Sequence, residues 1–534
     1  MGFALGAKAT LQLISTTGKV TQAAIAIFCP LLFCGLLVAL TGRRWSGLAV
    51  FLLAVAVACP WAWLHWQASW QTYLSKLPRR ECWGKVRCRL QEGGFDSQRL
   101  SVLSAVRPRM VGKVTEIQTM ASPNEWQRAR GRVLLRGDKD MLSDLHALLA
   151  GEEIEAEGMF LFPPQGEEMY GFYGDYLRSL GIRRIFLVRD LQARGLGSGW
   201  DCRWRRGIAR LRQRLAELLV ADIDEPQVGG MFLALGLGLR GYLPKTSQEA
   251  FLKSGTIHLF AISGLHVTFV SAFCLQTLVL LGIPLRPRLV LAGAICLGYA
   301  LLTGLSPSSC RAALMVLLWI YAQLRWRPSN SIHILSLTGN LSLLVNPLLV
   351  LNTGFLYSYL AVVILLVTWT AGNRFSIVLF EKKHWVPVRL QGWRPLRQTM
   401  ERLGLHDLWA RWRLWREKLP TALLSSCLVW LGTSGLTASH GRWLCLATPF
   451  LNLPLAFILP WVLGSCPLKI ICALCWPRGN RWLAQMVTFL LKLLQALAEA
   501  PRTLPVRAPS NLGTILFYLA LAVLVLCLNR GNRK

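Results

Sequence analysis

From Phe251 to Phe380 the chain has no aspartate and no glutamate, against seven cationic side chains: Lys253, Arg286, Arg288, Arg311, Arg325, Arg327 and Arg374. Carriers of cations or protons through a membrane usually need carboxylates within it, so this stretch suits an anionic cargo better than a cationic one. Charge is scarce overall: 16% of residues are charged and 53% hydrophobic, and the mean hydropathy is +0.41. Repeated apolar runs near or above 18 residues place such a chain among polytopic helical membrane proteins. No Cys/His arrangement reads as a metal site, no cofactor is expected, and no nucleotide-binding loop occurs, so any motor must be another protein.

What charge exists is lopsided. Lys and Arg number 59 against 27 Asp and Glu, a net +32. Basic loops orient membrane proteins and attract anionic lipid; a nucleic acid or another polyanion would use the same charge.

Residues 1–64 read as an anchor hairpin, with apolar runs at 22–40 and 46–64 joined by Arg43 and Arg44 in a short cytoplasmic loop. Both ends then face outward. Residues 65–200 change character. "GKVRCRL", "RLSVLSAV", "VGKVTEIQTM", "GRVLLRG" and "EEIEAEGMFLF" alternate apolar and polar between turn residues, the pattern of a small antiparallel extracytoplasmic barrel or sandwich, with a five-stranded OB-like barrel fitting the length. Cys82 and Cys88 can bridge there or stay free thiols. The region ends with Tyr170, Phe172, Tyr173 and Tyr176 beside Arg178, Arg183 and Arg184. Tyr176 and the three arginines are candidates to stack bases and neutralise phosphates, or to close the barrel.

Residues 201–225 form an amphipathic interfacial helix with Trp204, Ile208, Leu211, Leu215 and Leu218 on one face. Residues 226–534 hold about ten apolar segments, near 228–243, 256–283, 289–305, 312–324, 332–350, 354–370, 420–437, 443–466, 483–499 and 511–528, with a basic cytoplasmic loop at 371–419. Six full crossings before that loop would leave it outside, against its charge. An odd number of the first six therefore fails to span. The suspects are 228–243, for shortness, and 256–283, for its Ser-Gly interruption. Irregular backbone at membrane depth is tolerated only within protein or against a watery cavity.

Three stretches carry chemistry. "HLFAISGLHV" holds His258, Ser263, Gly264 and His266. An intramembrane serine hydrolase would need a base oriented by a third group, and no acid lies near, so the chain reads as a non-enzyme. "LLTGLSPSSCRAALM" sets Ser306, Ser308 and Ser309 around Pro307 with Arg311 following; hydroxyls and free amides at a helix start make an anion site. "NPLLVLNTGFLYSYLAV" interrupts an apolar run with Asn352, Tyr357 and Ser358.

Together these stretches resemble the membrane domain of the ComEC family, channels that pass transforming DNA inward as a single strand. "LPKTSQEAFLKSGTIHLFAISGLHV" is similar to the family's His-Leu-x-Ala-Ile-Ser-Gly-Leu-His signature, and the second and third stretches to its Thr-Gly-x-Ser…Arg-Ala-x-x-Met and Asn-Pro…Gly-Phe-x-x-Ser-x-x-Ala-Val blocks. The resemblance covers most of residues 22–466. The chain departs from the family at Gly238-Leu239-Arg240, where an acid often precedes the arginine, at Asn352 and Leu356, and in carrying no His-x-His-x-Asp-His run. The resemblance implies an inner-membrane channel for single-stranded DNA lined by His258, Ser263, Gly264, His266, Ser306, Ser308, Ser309, Arg311, Asn352 and Ser358. It also implies a cytoplasmic helicase-like motor, an extracytoplasmic DNA-binding protein, a nuclease supplied by another chain, and possible oligomers. The alternative cargo is another anionic polymer or a lipid-linked intermediate.

Overall fold

The computed structural model describes residues 82–92, 110–120, 125–137, 148–162, 176–177, 180–197, 199–262, 264–327, 331–346, 349, 352–379, 419, 422–435, 437, 444–501 and 505–506. The anchor hairpin of 1–64, "RLSVLSAV", Arg178, Ser263, the apolar run at 511–528 and the basic loop beyond Leu379 lie outside them. By contact the chain divides into two compact units, one of Met1–Leu252, Ile257–Leu356 and Ile458–Ala496, the other of Lys253–Thr256, Tyr357–Phe457 and Leu497–Lys534.

The first unit opens with five strands: β1 Cys82–Glu92, β2 Met110–Thr119, β3 Gln127–Gly137, β4 Glu152–Leu161 and β5 Ile182–Leu196. They pair in the closed order β1-β2-β3-β5-β4, every pair antiparallel except β3 with β5. Period-two alternation sends Val86, Leu90, Met110, Val133, Phe160 and Phe186 into one core; Phe160 and Phe186 meet edge to face at 4.6 Å. Outside, β1 and β4 carry a charge ladder in register: Lys85 with Glu157 at 3.0 Å, Arg87 with Glu155 at 3.1 Å, Arg89 with Glu153 at 2.6 Å. Pairs like these, partly open to solvent, add little stability each; a one-residue slip would break all three and turn the core face outward, so they set register. Gly158 allows β4 to close on β5, because a methyl there would overlap the Leu187 carbonyl oxygen.

In this region the structure takes one side of two alternatives that the sequence leaves open. Cys82 and Cys88 are free thiols. They lie six residues apart on one continuous strand, roughly 20 Å at strand rise, far beyond bridging distance. Arg184 is not a surface contact either: it is 1% exposed, its guanidinium 3.7 Å over the Phe162 ring, and burial lowers its pKa. Tyr176 packs beside Val111, Leu134 and Leu177.

The helices follow: α1 Trp200–Val220, α2 Pro226–Leu237, α3 Lys245–Lys253, α4 Gly264–Leu280, α5 Leu285–Leu302, α6 Pro307–Leu324, α7 Ser331–Val345, α8 Thr353–Leu379, α9 Ala422–Gly435, α10 Thr448–Cys475 and α11 Pro477–Glu499. Segment 354–370 thus continues as helix to Leu379, and α10 runs past the expected end at 466. Among the described residues, α5 and α10 are long and apolar enough to cross a membrane, and five apolar helical stretches are shorter. Apolar side chains face outward, Leu280 80%, Trp461 61% and Ile471 58% exposed; exposure of that kind is unfavourable in water and neutral in lipid. Close helix contact uses small residues, with Cys296, Ala300, Ala312 and Ala313 packed around Val267.

In the second unit Thr448 Oγ1 donates to the carbonyls of Ser254 and Cys445. Asn452 Nδ2 donates to Ser426 Oγ, the Tyr357 hydroxyl to Thr437 Oγ1, and a two-residue ribbon pairs Leu444–Cys445 with Pro505–Val506.

Candidate functional site: a helix break against a buried arginine

The stretch "HLFAISGLHV" is not one helix. A 3₁₀ turn, Ile257–Phe260, ends before the break, and α4 starts at Gly264. His258 lies on the turn and is exposed; His266 lies in the first turn of α4 and is 1% exposed. The break therefore separates two imidazoles that a straight helix would align. Arg240, from the 3₁₀ turn Arg240–Tyr242, secures the break by donating Nε–H to the Phe260 carbonyl at 2.8 Å.

Facing α4 is the start of α6. Gly304 and Leu305 both take positive φ, 81° and 50°, reversing the chain after α5. Ser306 then caps α6, its Oγ accepting the Ser309 N–H at 3.2 Å, with Pro307 at the first helical position. The Ser306 hydroxyl donates to Ser309 Oγ, which donates to the Ser306 carbonyl. Ser308 is half-buried on the same turn. Arg311 follows, 3% exposed, and its guanidinium reaches Gly264 so closely that a methyl there would stand 3.5 Å from Nη2.

A third chain end joins them. Gly238 ends α2 in the left-handed conformation, φ 71°, and a side chain there would overlap Ile262. The last carbonyls of α2 are held from outside: Arg212 Nη2–H donates to Leu237 O at 3.0 Å and the Tyr299 hydroxyl to Gly236 O at 3.1 Å. The starts of α4 and α6, the buried Arg311 and the helix break thus come together in a stretch of sequence, 251–380, that contains no carboxylate.

The structure thus unites Gly264, Ser306, Ser309 and Arg311, with His266 on the same first turn as Gly264. Asn352 is 2% exposed and its Oδ1 accepts the Phe355 N–H at 3.2 Å, capping α8. Ser358 lies on α8 in the second unit. Sequence reasoning missed Arg212, Tyr299 and Lys469. Lys469 is fully buried on α10, its Nζ donating to Ala221 O and to Asn480 Oδ1. For Tyr299 and Lys469 a phenol or cation within apolar sequence was the available signal; Arg212, among the arginines of α1, offered none. It also passed over Cys472-x-x-Cys475, which lies in the last turn of α10. Among the described residues no three His, Cys, Asp or Glu side chains gather as a metal site.

Fold and site define a helical membrane protein with an appended five-stranded domain. Residues 235–531, more than half of the chain, match the family described as Competence protein, and the chain belongs to that family. It is 33% identical over 258 residues to ComE operon protein 3 of Bacillus subtilis, covering 47% of this chain and 32% of that protein. It is 34% identical over 204 residues to Competence protein ComA of Neisseria gonorrhoeae, covering 36% and 28%. Recombination protein 2 of Haemophilus influenzae is 29% identical over 187 residues, covering 34% and 24%. The matches span at most about a third of these relatives' own length. No solved structure matches.

Proposed function

We propose that the protein is a multi-pass channel of the bacterial inner membrane that passes single-stranded DNA into the cytoplasm during natural transformation. The observation that carries this is the Arg311 guanidinium set against the bare Gly264 backbone where α4 and α6 begin. A fixed charge beside backbone that carries no side chain suits a phosphate passing at close range. Contacts of this kind read backbone and not base, as uptake of arbitrary DNA requires. At 12 residues α2 is roughly 18 Å long, short of the ~30 Å hydrocarbon core. As a half-crossing it restores the parity that puts the basic loop after α8 in the cytoplasm and the barrel outside. The barrel, read as OB-like, receives the strand.

The relatives named for competence support DNA as the cargo. The membrane channel carries no chemistry of its own in this reading; a helicase-like motor and an extracytoplasmic DNA-binding protein work with it, and oligomers are open to it. Labelled DNA offered to cells expressing wild type, His266→Ala or Arg311→Ala at matched levels tests the reading. Cytoplasmic uptake falls at least tenfold in both variants while DNA still reaches the periplasm. Unchanged uptake after deletion of the whole gene would move the cargo to another anionic polymer.

A further inference from the structure

Helix α1 packs through the face opposite its tryptophan stripe. Cys202, Ala216, Leu219 and Val220 are buried, and two arginines on that inner side are consumed by backbone carbonyls. Arg206 Nη1 donates to Gly151 O at 3.4 Å and Gly197 O at 3.1 Å, both in the five-stranded domain. Arg212 donates to Leu237 O at the end of α2. One helix therefore fastens the barrel at its first half and the channel site at its second.

The opposite stripe is uncovered. Trp200 is 72% exposed, Trp204 51% and Leu211 49%, in line with Gly207 and Arg214, and flanked on one side by exposed Arg203 and Arg210. These positions recur every three or four residues over roughly 21 Å of helix. Trp200 and Trp204 stack nearly parallel, 6.0 Å apart and 11° between planes. Ile208 and Leu215 extend the apolar arc and are only half-buried. Asp201, the acid of the first turn, is already engaged by Arg205 at 3.0 Å.

We infer that this stripe seats on the headgroup layer of an anionic phospholipid membrane, with Trp200, Trp204 and Leu211 entering the interface and Arg203, Arg210 and Arg214 meeting lipid phosphates. The level argues for lipid. The C-terminal half of α1 bonds to α2 and lies beside Gly304 at the α5–α6 turn, and α5 is long enough to cross the membrane. Lipid surrounding α5 ends near that level. Tryptophan prefers it, arginine reaches from it to phosphate, and each such cation near an anionic surface improves binding about fivefold. The stripe does not contribute to the site itself and stands independently of what passes through it. Its consequence is mechanical: the bilayer holds the beam that sets barrel and site in register.

The test uses the full chain in nanodiscs of phosphatidylcholine, with or without phosphatidylglycerol. Fluorescence of the Trp200/Trp204 pair is isolated by subtracting the Trp200→Phe/Trp204→Phe variant. In discs a lipid bearing a nitroxide near the headgroup quenches the pair and aqueous iodide does not. Arg203→Gln/Arg210→Gln/Arg214→Gln raises iodide access several-fold in phosphatidylglycerol discs and changes little in phosphatidylcholine alone. Equal iodide quenching in detergent and in both discs would overturn the inference. So would protection that arises only on adding a single-stranded oligonucleotide, which would assign the stripe to nucleic acid.

Discussion

Gly264 is the residue on which the site turns, because the guanidinium of Arg311 lies just beyond the place of a Cβ and leaves no room for a longer side chain. A methyl there meets Nη2 at ordinary van der Waals distance, 3.5 Å, so Gly264→Ala should fold and retain uptake within a few-fold. Gly264→Leu must displace Arg311 and should abolish uptake at unchanged membrane abundance, measured by cytoplasmic DNA and immunoblot. In the barrel, burial raises the Cys88 thiol to about 12. It should resist maleimide at pH 8 in a variant keeping only that cysteine and react within minutes in denaturant, since the thiolate is the reactive form. His266 and Arg311 were legible as polar groups in an apolar stretch of sequence that contains no acid. Arg184 was not, because a basic cluster reads alike whether its side chains meet solvent or stack beneath it on a ring such as Phe162.

At the scale of elements, the α6 start depends on its cap. Ser306→Ala removes the acceptor of the Ser309 amide and should cost about 1 kcal/mol, read as a lower Tm in detergent and weaker uptake. Lys469→Met leaves the Ala221 and Asn480 oxygens without their donor and should cost about 1–3 kcal/mol. Thermal unfolding with Asn480→Leu in the same background then shows coupling, because one partner no longer awaits the other. The helix break was legible from Ser-Gly in an apolar run, and four of the five strands from alternation. The parallel β3–β5 pair was not, since period two states which face is buried and never which strand lies alongside. The packing face of α1 was also hidden: Cys202, Ala216 and two arginines form it, and no hydropathy pattern selects arginines whose partners are carbonyls distant in sequence.

For the whole molecule, the governing feature is fixed positive charge with no carboxylate from 251 to 380. Family membership was legible from the motifs of the helical region, because break, cap and buried arginine are written in consecutive residues. A strand held through phosphate contacts should be salt-sensitive and indifferent to base sequence. The most direct measurement places a photo-crosslinker at Ser308, half-buried on the first turn of α6, in cells importing a labelled strand stalled by a bulky end. The account predicts a crosslink to the strand itself, lost with Arg311→Ala and equal for strands of different sequence. Crosslinks to lipid alone, with uptake proceeding normally, would contradict it.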